Sequence, residues 1–203
     1  MPLRWAPTGS STTTRGTAID GSKLWTIAAD RGTPNLKLVS SPSAVSWGVD
    51  RLDVYAIDND QDLYHNSWDG NAWQDTVGTV DDLGGGWIGS GLGPRLLYNS
   101  PSAVAWIDAN GNFRNDVFAF GSGNPNHLYQ KWWDGNYWRG GPDDCGVLFY
   151  LTQDPSRSPS AVARSVNGVN LLDVFALSDD RSLFWTHWTG SVWRAPANVG
   201  RMW

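Results

Sequence analysis

An all-β fold is what this sequence predicts: a β-propeller of four-stranded antiparallel blades, three full repeats preceded by a degenerate N-terminal unit. The first observation is a repeat. The stretch Ser41–Trp73 recurs as Ser100–Trp138 and as Ser158–Trp193, and every copy opens S-P-S-A-V, passes through D-V-[YF]-A, reaches L-[YF] and closes W-[DT]-G-x-x-W. The openings lie 59 and 58 residues apart, a period that fits one small sheet per repeat stacked on its neighbours. The second observation is the pattern inside a copy: period-2 alternation, broken by polar turns and by D-G at a hairpin, gives four antiparallel strands, which make one blade. The third is that all 20 acidic residues are Asp and none is Glu. Asp suits turns and strand ends, whereas Glu suits helices.

The elements follow in order. Residues 1–16 contain Arg4-Trp5-Ala6-Pro7-Thr8-Gly9, which resembles Trp193-Arg194-Ala195-Pro196 and the residues up to Gly200 at the end of the last repeat. The N-terminus therefore begins where a repeat ends, and Trp5–Gly9 is expected beside a strand of the final repeat, interlocking the ring. Residues 17–40 read as a shortened repeat without the W-x-G-x-x-W segment. In the first full repeat, 41–99, SAVSW is a strand ending at Gly48, Leu52–Ile57 a second, Leu63–Trp68 a third and Ala72–Val77 a fourth, with polar turns at Asp58–Asp62 and Asp69–Asn71. Residues 78–99 are a long Gly-rich connection whose Leu96-Leu97-Tyr98 matches Leu36-Lys37-Leu38. The second repeat spans 100–157 and ends in another long connection, 140–157. The third spans 158–203. A single domain, 1–203, closing as four sheets in a ring is the simplest arrangement; pairing with a second copy as a homo-oligomer is the alternative.

Composition excludes several function classes. A net charge of −5 and a pI near 5.0 count against a nucleic-acid partner. Cys145 is alone, so no intrachain disulfide forms and no cysteine-rich metal site exists. The N-terminus lacks the apolar core of a signal peptide, and no apolar run reaches membrane-spanning length. The expectation is a soluble protein, cytoplasmic or secreted without a recognisable signal peptide, with no membrane insertion, no metal and no cofactor.

Fourteen tryptophans are more than a core needs, because each buried indole N–H must find a partner. The pairs Trp68/Trp73, Trp133/Trp138 and Trp188/Trp193 can staple their hairpins as cross-strand pairs, or offer one indole to the C–H face of a sugar ring. Trp132 adds a further indole. Polar residues precede each pair on the third strand: His65-Asn66, Gln130-Lys131 and Thr186-His187, able to bond sugar hydroxyls. Asp53, Asp116 and Asp173 recur inside a strand and read as structural, tied to a neighbouring loop or to backbone N–H groups. Asp58-x-Asp60-x-Asp62 has the spacing of a calcium loop, but Leu63 stands where such a loop needs Gly, and turns of this composition are usually only turns. No Ser/His/Asp or Cys/His arrangement is present. Adjacent pairs such as Asp81-Asp82 point to opposite faces of an extended chain and make no glycosidase pair by themselves.

The repeat S-x-P-A-V-x-S-W-G-x-x-R-L-D-V-[FY], followed by L-[YW]-H-x-x-W-D-G-x-x-W, resembles that of the Photorhabdus-lectin-like (PLL-type) β-propeller lectins. Residues 42–73 match it almost word for word, and 101–138 and 159–193 match with insertions or substitutions. The resemblance implies pockets between blades that take fucose and O-methylated sugars. The chain departs from that family's seven-bladed pattern in having fewer repeats, longer connections and a shortened first unit. Aleuria-type fucose lectins and tectonins are weaker resemblances; the Aleuria-type site uses a Glu, which this chain lacks. The reading is a multivalent glycan-binding lectin rather than an enzyme. Its expected site residues are His65, Trp68, Trp73, Lys131, Trp132, Trp133, Trp138, His187, Trp188 and Trp193. A glycoside hydrolase or lyase on a small propeller and a protein-binding scaffold are the alternatives.

Overall fold

The computed structural model describes residues 38–59, 61–74, 81–82, 97–108, 110–121, 126–140, 149–151 and 157–201. Every described element is a strand, paired antiparallel, and no helix among these residues is long and apolar enough to cross a membrane. The first sheet runs in the order β1 (Ser43–Gly48), β2 (Arg51–Ile57), β3 (Leu63–Trp68), β4 (Asp81–Asp82). The second runs β5 (Leu97–Ile107), β6 (Phe113–Gly121), β7 (Asn126–Trp133), β8 (Trp138–Arg139), with β9 (Phe149–Leu151) also on β7. The third runs β10 (Ser160–Val166), β11 (Val169–Leu177), β12 (Ser182–Trp188), β13 (Ala197–Arg201). Each full repeat thus supplies one meandering sheet. The degenerate unit over 17–40, apart from its last three residues, and the Trp5–Gly9 interlock lie outside the described residues.

Turn chemistry sets the hairpins. Between β10 and β11, Asn167 and Gly168 both take positive φ (52° and 78°), the mirror-image turn whose twist matches paired strands. Asp58–Asp62, Asp108–Asn112 and Ser178–Ser182 close the same way: the first N–H donates to the last carbonyl, and the fourth N–H donates to the first carbonyl. The fourth residue sits at positive φ in each (Gln61 69°, Gly111 81°, Arg181 66°). Asp58 turns its carboxylate into its own loop, accepting from the Asp62 N–H at 2.8 Å. No cluster of three or more metal-ligating side chains forms among the described residues.

The outer strand departs from expectation. Over Ala72–Val77 the described residues show only an isolated bridge, Trp68 to Trp73, and the fourth strand of the first sheet is Asp81–Asp82, lying opposite His65 and Tyr64. The long connections contribute too: the 78–99 stretch supplies β4 and the start of β5, and the 140–157 stretch supplies β9. An edge strand buries little, so its apolar pattern is weak and its position is fixed by pairing. In the second sheet, strand one also begins earlier than S-P-S-A-V, at Leu97. Leu38 bridges Asp58 as Leu97 pairs with Gly121, so Leu38, one place beyond the expected match, is the counterpart of Leu97 in the first repeat.

The core lies between sheets. Tyr55, Ile57, Leu63, Leu97, Val117, Ala119 and Tyr129 fill the first junction; Val104, Phe118, Phe120, Leu128, Leu172, Val174 and Ala176 fill the second. Strand alternation sends Val117 and Ala119 one way and Phe118 and Phe120 the other, so β6 is buried on both faces from Asn115 to Gly121. Val117, Phe118 and Phe120 each contribute about 1.5–3 kcal/mol by leaving water, and Ala119 less.

The S-P-S-A-V motif joins the blades. At the first junction the Ser41 N–H donates to Ser100 Oγ (2.9 Å), and the Ala103 N–H donates back to Ser43 Oγ (2.9 Å). At the second, the Ser100 N–H donates to Ser158 Oγ (2.8 Å), and the Ala161 N–H donates back to Ser102 Oγ (3.0 Å). Pro between the two serines has no N–H and fixes φ, which presents both hydroxyls from one rigid corner. Ser102→Ala leaves the Ala161 N–H without its acceptor and is expected to lower stability by about 1–2 kcal/mol in urea melts. An unchanged midpoint would make the bond incidental.

Candidate functional site

The W-[DT]-G-x-x-W hairpins have a common build. Asp134 Oδ1 accepts from the Asn136 and Tyr137 N–H groups, both at 2.8 Å, and Oδ2 accepts from Arg139 Nε at 2.5 Å. Those backbone and arginine bonds hold its carboxyl down at about 2. Asp69 caps its turn likewise, and Thr189 Oγ1 does so in the third repeat. The glycine that follows takes a φ of 101°, 104° and 95° (Gly70, Gly135, Gly190), which a side chain would resist. The turn sets each indole pair across it, with centroids 5.8, 5.8 and 6.0 Å apart and the planes inclined at 58°, 64° and 55°.

Two of these pairs reach into cavities between sheets. The first cavity, about 510 Å³, takes Trp47, Asp53, His65 and Ser67 from the first sheet and Asn112, Phe113, Asn115, Trp133 and Trp138 from the second. The second, about 560 Å³, takes Trp106, Asp116, Gln130 and Trp132 from the second sheet and Leu172, Trp188 and Trp193 from the third, with Arg114 beside them. The construction repeats. The earlier blade gives a strand-one Trp, the strand-two Asp and a strand-three polar residue, and the later blade gives an indole pair.

The buried Asp is the keystone of each floor. Asp116, 2 % exposed, accepts from Trp106 Nε1 (2.5 Å) and Gln130 Nε2 (2.6 Å), and Gln130 Oε1 accepts from Trp193 Nε1 (3.0 Å) across the junction. Burial pushes the Asp116 carboxyl up to about 6, against those two bonds and the Arg114 charge. Asp173 accepts from Trp185 Nε1 (2.9 Å) and from Arg164 Nε; burial works to raise it, but these partners outweigh burial and hold it below the ordinary carboxylate value. Asp53 accepts from His65 Nε2 at 2.6 Å. The partners are therefore side chains on the flanking strands of the same sheet, rather than the loop or backbone N–H groups expected from sequence.

The first junction differs in one strand. The β5–β6 register is continuous from Ser102 to Ile107, which brings Trp106 over Asp116. In the β1–β2 pair the register shifts between Val45 and Gly48, an irregularity that re-aims the neighbouring side chain. Trp47 there stacks on Phe113 of the next blade, 4.1 Å between centroids and 23° between planes. Asp53 Oδ2 is left buried without a hydrogen-bond partner among the described residues. Tyr55, whose hydroxyl burial and the Asp53 and Asp116 charges hold neutral, accepts from Asn115 Nδ2 across the junction.

Of the residues expected from sequence, His65, Trp133 and Trp138 line the first cavity, and Trp132, Trp188 and Trp193 line the second. Trp132 and Trp133 thus serve different cavities, because successive strand residues face opposite sides. Trp68, Trp73, Lys131 and His187 line neither. Trp68 and Trp73 pair across their own turn, Lys131 lies opposite Val117, and His187 stacks on Trp185 at 4.5 Å. Trp47, Trp106, Arg114 and Asn115 were missed. A signal existed for the first two: the strand-one column reads Trp47, Trp106, Arg164, an N–H donor each time, ahead of the recurring Asp.

No family model and no curated protein matches the sequence. Solved structures do match. A fucose lectin from Kordia zhangzhouensis in complex with methyl-fucoside superposes with TM-score 0.53 at 20% identity, over 76% of this chain and 96% of that one. The fucose-specific lectin from Aleuria aurantia gives 0.56 at 20%, over 82% and 52%, and the BP39L lectin from Burkholderia pseudomallei 0.52 at 20%, over 81% and 42%. The chain spans nearly all of the first and about half or less of the other two. At this identity the likeness establishes the fold alone, an all-β arrangement of antiparallel sheets, one to each full repeat.

Proposed function

We propose that this chain binds carbohydrate without transforming it, seating one sugar ring in each cavity between blades. The observation that carries the reading is the repetition: two successive junctions present the same arrangement of indole pair, strand-one Trp, buried Asp and strand-three polar residue. A sugar offers an apolar C–H face and hydroxyls that both donate and accept, and this arrangement matches both. Catalysis asks for one specialised site, whereas two like sites suit binding that gains strength from several contacts at once. Fucose is the first candidate, since the solved lectins of like fold include one bound to methyl-fucoside and one described as fucose-specific. The PLL resemblance adds O-methylated sugars.

A glycan array followed by calorimetry tests this, alongside a chromogenic-glycoside assay. Trp133→Ala and Trp188→Ala are each expected to cost the affected junction about 1–3 kcal/mol, enough to abolish weak monosaccharide binding there. Full binding in both variants would put the site elsewhere. Turnover of a glycoside would favour the hydrolase, and no glycan bound by the parent would favour the protein-binding scaffold.

A further inference from the structure

We infer that the first junction selects a sugar carrying a free ammonium group, a 2-amino-2-deoxyhexose, while the second does not; the inference rests on the carbohydrate-binding reading above. Two buried acceptors in the first cavity lack a donor among the described residues: Asp53 Oδ2 and Asn115 Oδ1, on residues 5 % and 1 % exposed. They come from the two sheets that face each other across this junction. A buried acceptor left unmade costs free energy, and a ligand that donates to it recovers that cost. The lining contains no Lys or Arg; Arg51 lies outside it, with its guanidinium 5.8 Å from the Trp47 ring centroid. Its walls are the rings of Trp47, Phe113, Trp133 and Trp138, and aromatic faces attract a cation. An ammonium supplies three donors and the charge that complements Asp53.

The second junction shares the aromatic walls but differs in its acceptors and in its charge. Both oxygens of Asp116 are engaged, by Trp106 and Gln130. Leu172 stands where the first junction has Asn115. Arg114 lines the cavity, its guanidinium 5.6 Å over the Trp106 ring and its Nε buried without a hydrogen-bond partner. Asp108, also on the wall, is spent on its own turn, accepting from the Asn110 and Asn112 N–H groups at 2.9 and 2.8 Å. A cationic sugar would meet a fixed cation there and no open carboxylate oxygen. The cause of the contrast is the register shift in β1–β2, which takes the Trp47 indole N–H away from Asp53.

Calorimetry with galactosamine, N-acetylgalactosamine and galactose, and the same set in the gluco series, tests the inference on the intact chain. The parent is expected to bind at least one free amine about tenfold more tightly than its N-acetylated and neutral counterparts, the scale of one charge-assisted hydrogen bond. Asp53→Asn, which keeps the shape and removes the charge, is expected to abolish that ratio. Asp180→Asn, at a turn residue outside both linings, is expected to leave it intact. Should Asp53→Asn melt too early to assay, Asn115→Leu, which copies Leu172 into the first junction, is expected to lower the ratio instead. Equal binding of the free and N-acetylated amines by the parent overturns the inference while leaving carbohydrate binding in place, as does a ratio that survives Asp53→Asn. Failure to bind any sugar, neutral or amino, overturns both.

Discussion

Trp193→Ala is expected to unfold the chain far more readily than Trp188→Ala, although the two indoles form one pair. Trp193 donates its N–H to Gln130 of the neighbouring blade and meets Phe118 edge-on, with centroids 5.8 Å apart at 82°. Its loss opens a hole above a fully buried ring and leaves Gln130 Oε1 without that donor. Trp188 also rests on the second core cluster, but among the described residues it makes no hydrogen bond to the neighbouring blade. The expected costs are roughly 3–4 kcal/mol for Trp193→Ala and roughly 1–2 kcal/mol for Trp188→Ala. Both variants should lose the sugar at the second junction. Urea melts beside calorimetry separate the two effects; equal stability losses would show that the pair acts as one staple.

The second large effect is on pH. Asp116 has its carboxyl raised to about 6 in the fold, from 3.8. Below 3.8 it is protonated whether folded or not. Between 3.8 and 6 the folded chain keeps a proton that the unfolded chain has lost, so stability falls as pH rises through this window. Above 6 both states are ionised and the loss is complete, at about 3 kcal/mol for a shift of this size. Asp69, Asp108, Asp134, Asp173 and Asp180 have lowered values and act oppositely: they add stability above 3.8 that is lost as pH falls further. In urea melts from pH 3 to 7, the difference between parent and Asp116→Asn should therefore grow in the variant's favour from about pH 4 to about pH 6 and then level off. A constant difference would mean that the carboxyl titrates normally.

What sequence could and could not reveal follows from how far apart the partners lie. The indole pairs were legible because both members sit within six residues, across one hairpin whose D-G or T-G turn is written in the chain. The sheets were legible for the same reason: β2 and β3 are joined by a short polar turn. The keystone Asp was legible as a buried position, but its partners were not, because Trp106 and Gln130 come from strands on either side. The two-cavity division of Trp132 and Trp133 needed the facing sheets. The loss of the Trp47–Asp53 bond depends on a register shift that no residue type announces, since W-G-V-D-R is compatible with a regular hairpin. The outer strands stayed hidden because they are short and are placed by pairing rather than by pattern.

The serine bonds of the inner strands have a consequence for how such a chain lengthens. Each repeat brings both halves of the connector: a hydroxyl that receives from one neighbour, and an N–H that gives to it. The same S-P-S-A-V supplies the matching halves toward the other side. A gene segment duplicated in steps of one whole repeat therefore arrives already fitted to its flanks at these positions, with no second substitution required. Divergence is then free to accumulate at other positions, the cavity walls among them. Asn115 against Leu172, and Gln130 against His65, are differences of that kind.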